Sequence, residues 1–431
     1  MNPTRRPTVR ARAVLPAVLL LACGGEEARD AGVQGAGTVV FKHFKVPGGG
    51  EPLERLLRRF EAENPGVRVV NETLPASSDR QHQFYVTNLE AGSSDFDVFA
   101  LDVIWVPEFR RAGWLAEVGD LLSEADWDDV LPGPRAAVTW QARRYAIPWY
   151  VDGGVLYWRE DLLRKHGLAP PRTLEELART TRTVLDREGD PGLAGFVWQG
   201  RQYEGLVCVA LEFITARGGA ILEGNRAALA RPEAVAALAF LRRLVDEGLS
   251  PPMVTSADEE ATRNLFAAGR AVFLRNWPYA WNTFQREGSP VRGKVGVSAI
   301  PPFAGGRSAS TLGGWQIGVN RASRRLEPAR RLARFFGRPD VQKTLALEAG
   351  FKPARRSVYR DPELAREQPF VVRLEALLEG AVPRPVTPFY PMISQTLQAA
   401  FSAIVAGLQE PEAALRSAAI QIDHVLELEE G

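Results

Sequence analysis

Three short stretches of this 431-residue chain set flat aromatic rings beside Gly or Pro, and one of them adds a carboxylate. In AIPWYVDGGVLYW, residues 146–158, Trp149 and Tyr150 stand next to Asp152, and the Gly153-Gly154 pair follows. In RNWPYAW, residues 275–281, Trp277 and Tyr279 flank Pro278. In GGWQIGV, residues 313–319, Trp315 follows Gly313-Gly314. A further acid, Asp102, closes the strand-like run of residues 96–101. Core aromatics usually lie inside periodic apolar runs, whereas these rings stand beside Gly or Pro at the ends of strand-like segments. Rings and acids so placed suit a polyhydroxylated ligand, whose CH faces stack on a ring while a carboxylate accepts from neighbouring hydroxyls. Each charged hydrogen bond is worth ~1.5–3 kcal/mol, and each stacked ring ~0.5–1.5 kcal/mol beyond its buried area.

The same acids permit a rival chemistry. Paired carboxylates such as Asp102 and Asp152 are what a glycosidase needs, but one of the two must be held protonated, and nothing in the sequence argues for that. Other catalytic machinery is missing from the pattern. His43, His82, His166 and His424 are scattered without metal-ligand spacing, and neither G-x-S-x-G nor H-E-x-x-H occurs. Gly48-Gly49-Gly50 lacks the Lys-Ser/Thr pair of a P-loop, so Glu51 reads either as a side-chain acceptor or as a first-turn acid favoured by the helix dipole. Cys208, between Val207 and Val209, reads as an inert core thiol. No metal or cofactor is expected.

The elements that must position these residues alternate. Residues 38–44 read as a strand, 51–63 as an amphipathic helix stopped by Asn64-Pro65-Gly66, and 67–70 as a strand. A helix follows near residues 81–91, and then a third strand, 96–101, that ends at Asp102. Such alternation implies an α/β fold with a parallel sheet whose ligands collect at the carboxyl ends of the strands. Tyr145 to Ile147 reads as a strand that breaks at Pro148, and residues 155–158 as a new strand, so the joint between them suits a crossing between two lobes. Further on, Thr173 with Glu176 forms a capping-box pattern, residues 234–248 form an amphipathic helix, and residues 195–198, 294–300 and 313–319 read as strands.

The bulk properties fit a soluble two-lobed protein. At 431 residues the chain exceeds what one core usually supports. Lys+Arg 53 against Asp+Glu 52 gives a net charge of +1, which asks for no nucleic-acid partner. Arg5, Arg6, Arg10 and Arg12 precede the apolar run of residues 13–21, too short to span a bilayer as a stop-transfer helix. Leu20-Leu21-Ala22-Cys23-Gly24 resembles the lipobox of bacterial lipoproteins, which implies lipidation of Cys23 and cleavage before it; the rival reading is a plain secretory signal with an incidental Cys. With Cys23 acylated, only Cys208 remains of the 2 Cys, so no intrachain disulfide is expected. Residues 24–37 read as a flexible tether.

Five blocks carry a more specific likeness: residues 195–209 (GFVWQGRQYEGLVCV), 275–282 (RNWPYAWN), 293–298 (GKVGVS), 311–319 (TLGGWQIGV) and 381–392 (AVPRPVTPFYPM). They resemble the trehalose/maltose-binding proteins of ABC importers, within the extracellular solute-binding proteins, and the likeness spans residues 38–429. It implies a two-lobed periplasmic-binding-protein fold, type II-like, with hinge segments between the lobes. The expected lobes are residues 38–147 with 303–349, and 148–302 with 350–431. It also implies an extracytoplasmic, lipid-anchored monomer that closes on a disaccharide and delivers it to permease subunits. The family's sugar-binding positions fall on Glu51, Asp102, Tyr150, Asp152, Trp277, Tyr279, Gly313, Gly314, Trp315 and Arg384. Where the family has an arginine in the second helix, this chain has Gln81-His82-Gln83, replacing a charged planar donor with a neutral or titratable one. That exchange bears on which disaccharide Gln81 and His82 would meet.

Overall fold

The computed structural model describes residues 37–46, 50–75 and 77–430. Cys23, the targeting segment, most of the tether and Gly48-Gly49 lie outside the described residues. Strand β1 (Thr38–Phe44) and the helix Glu51–Glu63 have the expected bounds, and the helix buries the stripe Leu53, Leu56, Leu57 and Phe60. After β2 (Arg68–Leu74) comes the helix Ser78–Glu90, then β3 (Val98–Asp102). The remaining long strands are β4 (Ile147–Gly153), β5 (Val155–Arg159), β6 (Ala194–Val197), β7 (Ala271–Asn276), β8 (Val295–Ala299) and β9 (Leu312–Val319).

These strands form two sheets, each with its own core, in two lobes. The first runs in the order β2-β1-β3-β9-β4 and the second β8-β5-β7-β6. The first is mixed rather than purely parallel. Strands β2, β1 and β3 are parallel, but β9 is antiparallel to both β3 and β4. The reason is connectivity: β9 enters after the chain has built the second sheet, so it returns from the opposite end.

The break expected at Pro148 is not there. Strand β4 continues through Pro148 to Gly153, because β4 is the edge strand, where a missing N–H is tolerated. The register shifts so that Tyr150 faces Trp315 while Pro148 faces Gln316, which leaves Trp149 as the extra residue of a bulge. The change of sheet therefore falls at Gly154, beyond the boundary drawn at Pro148. On the return, Phe303 and Ala309 still pack in the second-lobe core, while Phe351 packs in the first. The return crossing thus lies at residues 310–312, and the first lobe reaches past residue 349.

Four segments meet where the lobes join. The Ser310 hydroxyl donates to Gly154 O at 2.7 Å, Val382 N donates to Ser310 O at 2.8 Å, and Leu312 N donates to Val382 O at 2.8 Å. From the other side, Val151 N donates to Lys352 O at 2.9 Å. Satisfying these backbone groups across segments fixes the crossings without a helix or a long ladder.

Candidate functional site

The register of the first sheet assembles most of the expected residues along one edge. Trp315 pairs with Asp102 on β3 and with Tyr150 on β4, while Gly313 pairs with Asp152 and Gly314 with Val151. Paired residues on neighbouring strands share a face, so Asp102, Trp315 and Tyr150 form one row at the carboxyl ends of β3 and β4. The row is held by ring packing. Phe44 lies 4.6 Å from Trp315 and 6.0 Å from Tyr150, Trp105 meets Trp315 edge-on at 5.5 Å, and Phe351 lies 4.3 Å from Tyr150. Gly314 has φ +121°, a conformation side chains rarely adopt, and a Cβ there would sit 2.4 Å from Tyr150 O.

The second lobe brings its own rings to the same place. A Cβ on Gly313 would lie 2.9 Å from Trp277 Cζ3 and 3.4 Å from Asp152 Cβ. Trp277 follows β7 directly, so an acid at the end of a first-sheet strand and a ring at the end of a second-sheet strand flank one glycine. The Trp277 indole N–H donates to Glu259 Oε1 at 3.3 Å, and the Tyr203 hydroxyl donates to Glu259 Oε2 at 2.7 Å. The guanidinium of buried Arg275 lies 4.2 Å from the Trp277 ring centroid. Tyr279 is half-buried, with its hydroxyl 3.3 Å from Glu260 Oε1.

Two of the three expected acids, Asp102 and Asp152, are buried, and burial raises their pKa values. Asp152 is pushed up to about 6 by desolvation, against the nearby charges of Lys352 and Arg275. Its Oδ1 is buried without a hydrogen-bond partner among the described residues, an unsatisfied acceptor at the seam of the lobes. Buried Lys352 is pulled down to about 8 by desolvation, opposed by Asp152, and its Nζ donates to Gly350 O at 2.5 Å. Asp102 is also raised by desolvation and by Glu204, opposed by Arg384. Arg384 links the lobes here, donating to Asp102 Oδ1 at 3.3 Å, to Leu312 O at 3.2 Å and to Glu204 Oε1 at 2.8 Å.

Three expected residues lie differently. Glu51 has a side chain 83% exposed and pairs with Arg55, one turn along the same helix, which is the first-turn-acid reading. Gln81 is fully buried and donates to Pro75 O at 2.7 Å, so it braces the turn before its helix. His82 Nε2 lies 2.5 Å from Glu108 Oε2 between Trp105 and Phe109, within the first lobe. Trp149, whose neighbours Tyr150 and Asp152 line the seam, is 1% exposed and packs against Phe41, Phe336 and Phe351 as core. Sequence reasoning missed Glu204, Glu212, Glu259, Arg275 and Lys352. The signal for three of them was present: Glu204 and Glu212 interrupt an otherwise apolar helix, Glu204–Ala216, buried at every position, and Arg275 interrupts the apolar β7.

What gathers here is two half-buried rings, Trp277 and Trp315, two buried carboxylates and one guanidinium, drawn from both lobes. Such a set can stack and hydrogen-bond a ring rich in hydroxyls. Among the described residues no group of three or more His, Cys, Asp or Glu is arranged to hold a metal. Cys208 is buried on the helix Glu204–Ala216, and desolvation drives its pKa upward, away from thiolate chemistry.

Comparison with known proteins gives a consistent picture. Residues 46–343 match the model of the bacterial extracellular solute-binding protein family. A probable ABC transporter-binding protein of Deinococcus radiodurans is 35% identical over 364 residues, covering 83% of this chain and 86% of that one. Among solved structures, the maltose-bound MalE3 of T. maritima superposes with a TM-score of 0.84 at 38% identity, covering 91% of this chain and 99% of that chain. A solute-binding protein of Thermotoga lettingae bound to α-D-tagatose has a TM-score of 0.80 at 26% identity over 90% of this chain and 99% of its own.

Proposed function

The chain belongs to the family of bacterial extracellular solute-binding proteins, and from that premise we propose that it captures trehalose, maltose or a related α-glucoside between its lobes. It is a binding subunit of an ABC importer and not an enzyme. In this reading the protein works as a monomer and hands its sugar to the permease. One observation carries the carbohydrate assignment: Asp152 from the first lobe and Trp277 from the second flank Gly313 together. The maltose held by the T. maritima relative points the same way.

The mechanism is hinge closure. Sugar that touches both walls favours the closed form by its extra contacts there, and this differential affinity alone drives the shift. Asp152 and Asp102 accept sugar hydroxyls, Trp277, Trp315, Tyr150 and Tyr279 offer apolar faces, and Arg384 and the backbone of Gly313 and Gly314 donate. In this reading Cys23 carries a lipid that anchors the mature protein to a membrane on its extracytoplasmic side, in the periplasm or at the cell surface. Among the described residues no helix is long and apolar enough to cross a membrane.

Titration calorimetry of the mature protein with maltose and trehalose tests this directly. At least one is expected to bind and to raise the melting temperature, because a ligand of the folded state alone stabilises it. Asp152→Ala is expected to weaken that affinity by ~1.5–3 kcal/mol, roughly ten- to a hundred-fold, in a protein that still folds. Undiminished affinity in the variant, or no heat with either sugar, overturns the assignment.

A further inference from the structure

A charged pair that sugar capture does not itself use lies beneath the hinge. Glu212, on the helix Glu204–Ala216, and Arg275, in β7, are both fully buried. Arg275 donates from Nε to Glu212 Oε2 at 2.8 Å and from Nη2 to Glu212 Oε1 at 2.5 Å, while Nη1 donates to Gln199 Oε1 at 3.1 Å. Gln199 in turn donates from Nε2 to Arg275 O at 2.9 Å and to Thr262 Oγ1 at 2.8 Å. A buried ion pair of this kind is weak evidence for stability, since well-packed apolar residues often do as well. Its contacts suggest another use.

The Glu212 carboxylate touches both strand crossings. Thr311 N, on the return crossing, donates to Glu212 Oε1 at 3.2 Å. On the outgoing crossing, a Cβ at Gly154 would stand 1.8 Å from Glu212 Oε1 and 2.6 Å from Arg275 Nη2, so glycine is what allows the strand to pass. The Ser310 hydroxyl then ties the two crossings together at Gly154 O. The other side of the pair faces the cleft, where the Arg275 guanidinium lies on the Trp277 ring.

We propose that Glu212 and Arg275 are positioning residues that lock Trp277 to the hinge strands, so that hinge rotation and placement of the stacking ring are one event. This rests on the carbohydrate reading, in which Trp277 stacks on the sugar. Neither residue touches the ligand. The pair acts through the ring on one side and through Gly154 and Thr311 on the other.

The test uses the full mature chain labelled with 5-fluorotryptophan, the Trp277 fluorine resonance being assigned with Trp277→Phe and the Trp315 resonance with Trp315→Phe. Arg275→Lys keeps a cation for Glu212 but loses the planar group that lies on the ring. In the sugar-free protein it is expected to move the Trp277 resonance and leave that of Trp315 in place. It is also expected to weaken maltose or trehalose binding about tenfold. Glu212→Gln is expected to act in the same direction, and should it fail to fold, Arg275→Lys decides alone. A folded Arg275→Lys protein with the wild-type Trp277 resonance and wild-type affinity overturns the proposal. Should the wild-type protein bind neither sugar, the carbohydrate reading falls, while the sugar-free resonance still decides whether Arg275 places the ring.

Discussion

The two walls of the cleft hold the same kind of side chain by different physics. On the first lobe, Trp315 and Tyr150 sit within a sheet and are wedged by Phe44, Trp105 and Phe351. On the second, Trp277 lies just past the end of β7 and rests on a guanidinium and a carboxylate. The stabilisation from burying apolar rings is non-directional and grows with buried area, so the first wall is an extension of its core. Charged contacts are directional and tie a ring to chosen atoms, so the second wall is coupled to the hinge beneath it. The comparison suggests one wall built to stay put and one built to move with closure.

Truncating the core ring beneath the first wall is the harshest way to probe that division. Trp149→Ala is expected to cost ~3–5 kcal/mol of stability, seen as a lowered melting temperature, because the bulge delivers this ring into a packed aromatic cluster. Lost affinity at an unchanged melting temperature would instead make Trp149 part of the site. Next come the two rings of the site itself. Trp315→Ala should lower both affinity and melting temperature, leaving a gap against Phe44 and Trp105. Trp277→Ala should lower affinity by ~0.5–1.5 kcal/mol or more with a smaller loss of stability. If the two variants lose stability equally, the contrast between the walls fails.

Acidity sharpens the comparison at the seam. Desolvation pushes the Asp152 carboxyl up to about 6, so acidification toward pH 5 adds the proton that removes an acceptor for sugar hydroxyls. Calorimetry at pH 5 and pH 7.5 should show weaker sugar binding at the lower pH. Stability of the sugar-free protein runs the other way. A carboxyl whose folded pKa lies above its unfolded value of about 3.9 holds its proton longer when folded, so its contribution falls as pH rises from about 4 to about 6. A melting-temperature series across that window, with Asp152→Asn as the control, separates this group from other carboxylates. The smallest effect belongs to Glu51→Gln. Its exposed pair with Arg55 is screened by solvent, and affinity and melting temperature should both stay at wild-type values. A clear loss of affinity would return Glu51 to the sugar-binding set.

Local pattern was enough to read the elements and several chemical groups. The bounds of β1 and the helix Glu51–Glu63 followed from β-branched residues and a four-residue apolar stripe, both short-range properties of the chain. The rings at Trp277 and Trp315 stood out because Gly and Pro mark strand ends, and strand ends are where a sheet opens to a ligand. The helix Glu204–Ala216 offered no such periodicity, since a helix buried on every face has no polar stripe to reveal it. Its two acids were therefore read past.

What the sequence by itself determined is an alternating α/β chain carrying rings and acids at strand ends, and, through its likeness to known blocks, the family. Which of those residues share a space was decided only by tertiary structure. Trp149 and Tyr150 are neighbours in sequence, yet a one-residue bulge sends Trp149 into the core and Tyr150 to the cleft row. Glu212 and Arg275 are 63 residues apart, and only the packing of a buried helix against β7 makes them one ion pair under Gly154. Periodicity and turn chemistry act over a few residues. Register, sheet order and the pairing of buried charges are set by contacts between segments remote in the chain, and no local pattern encodes them.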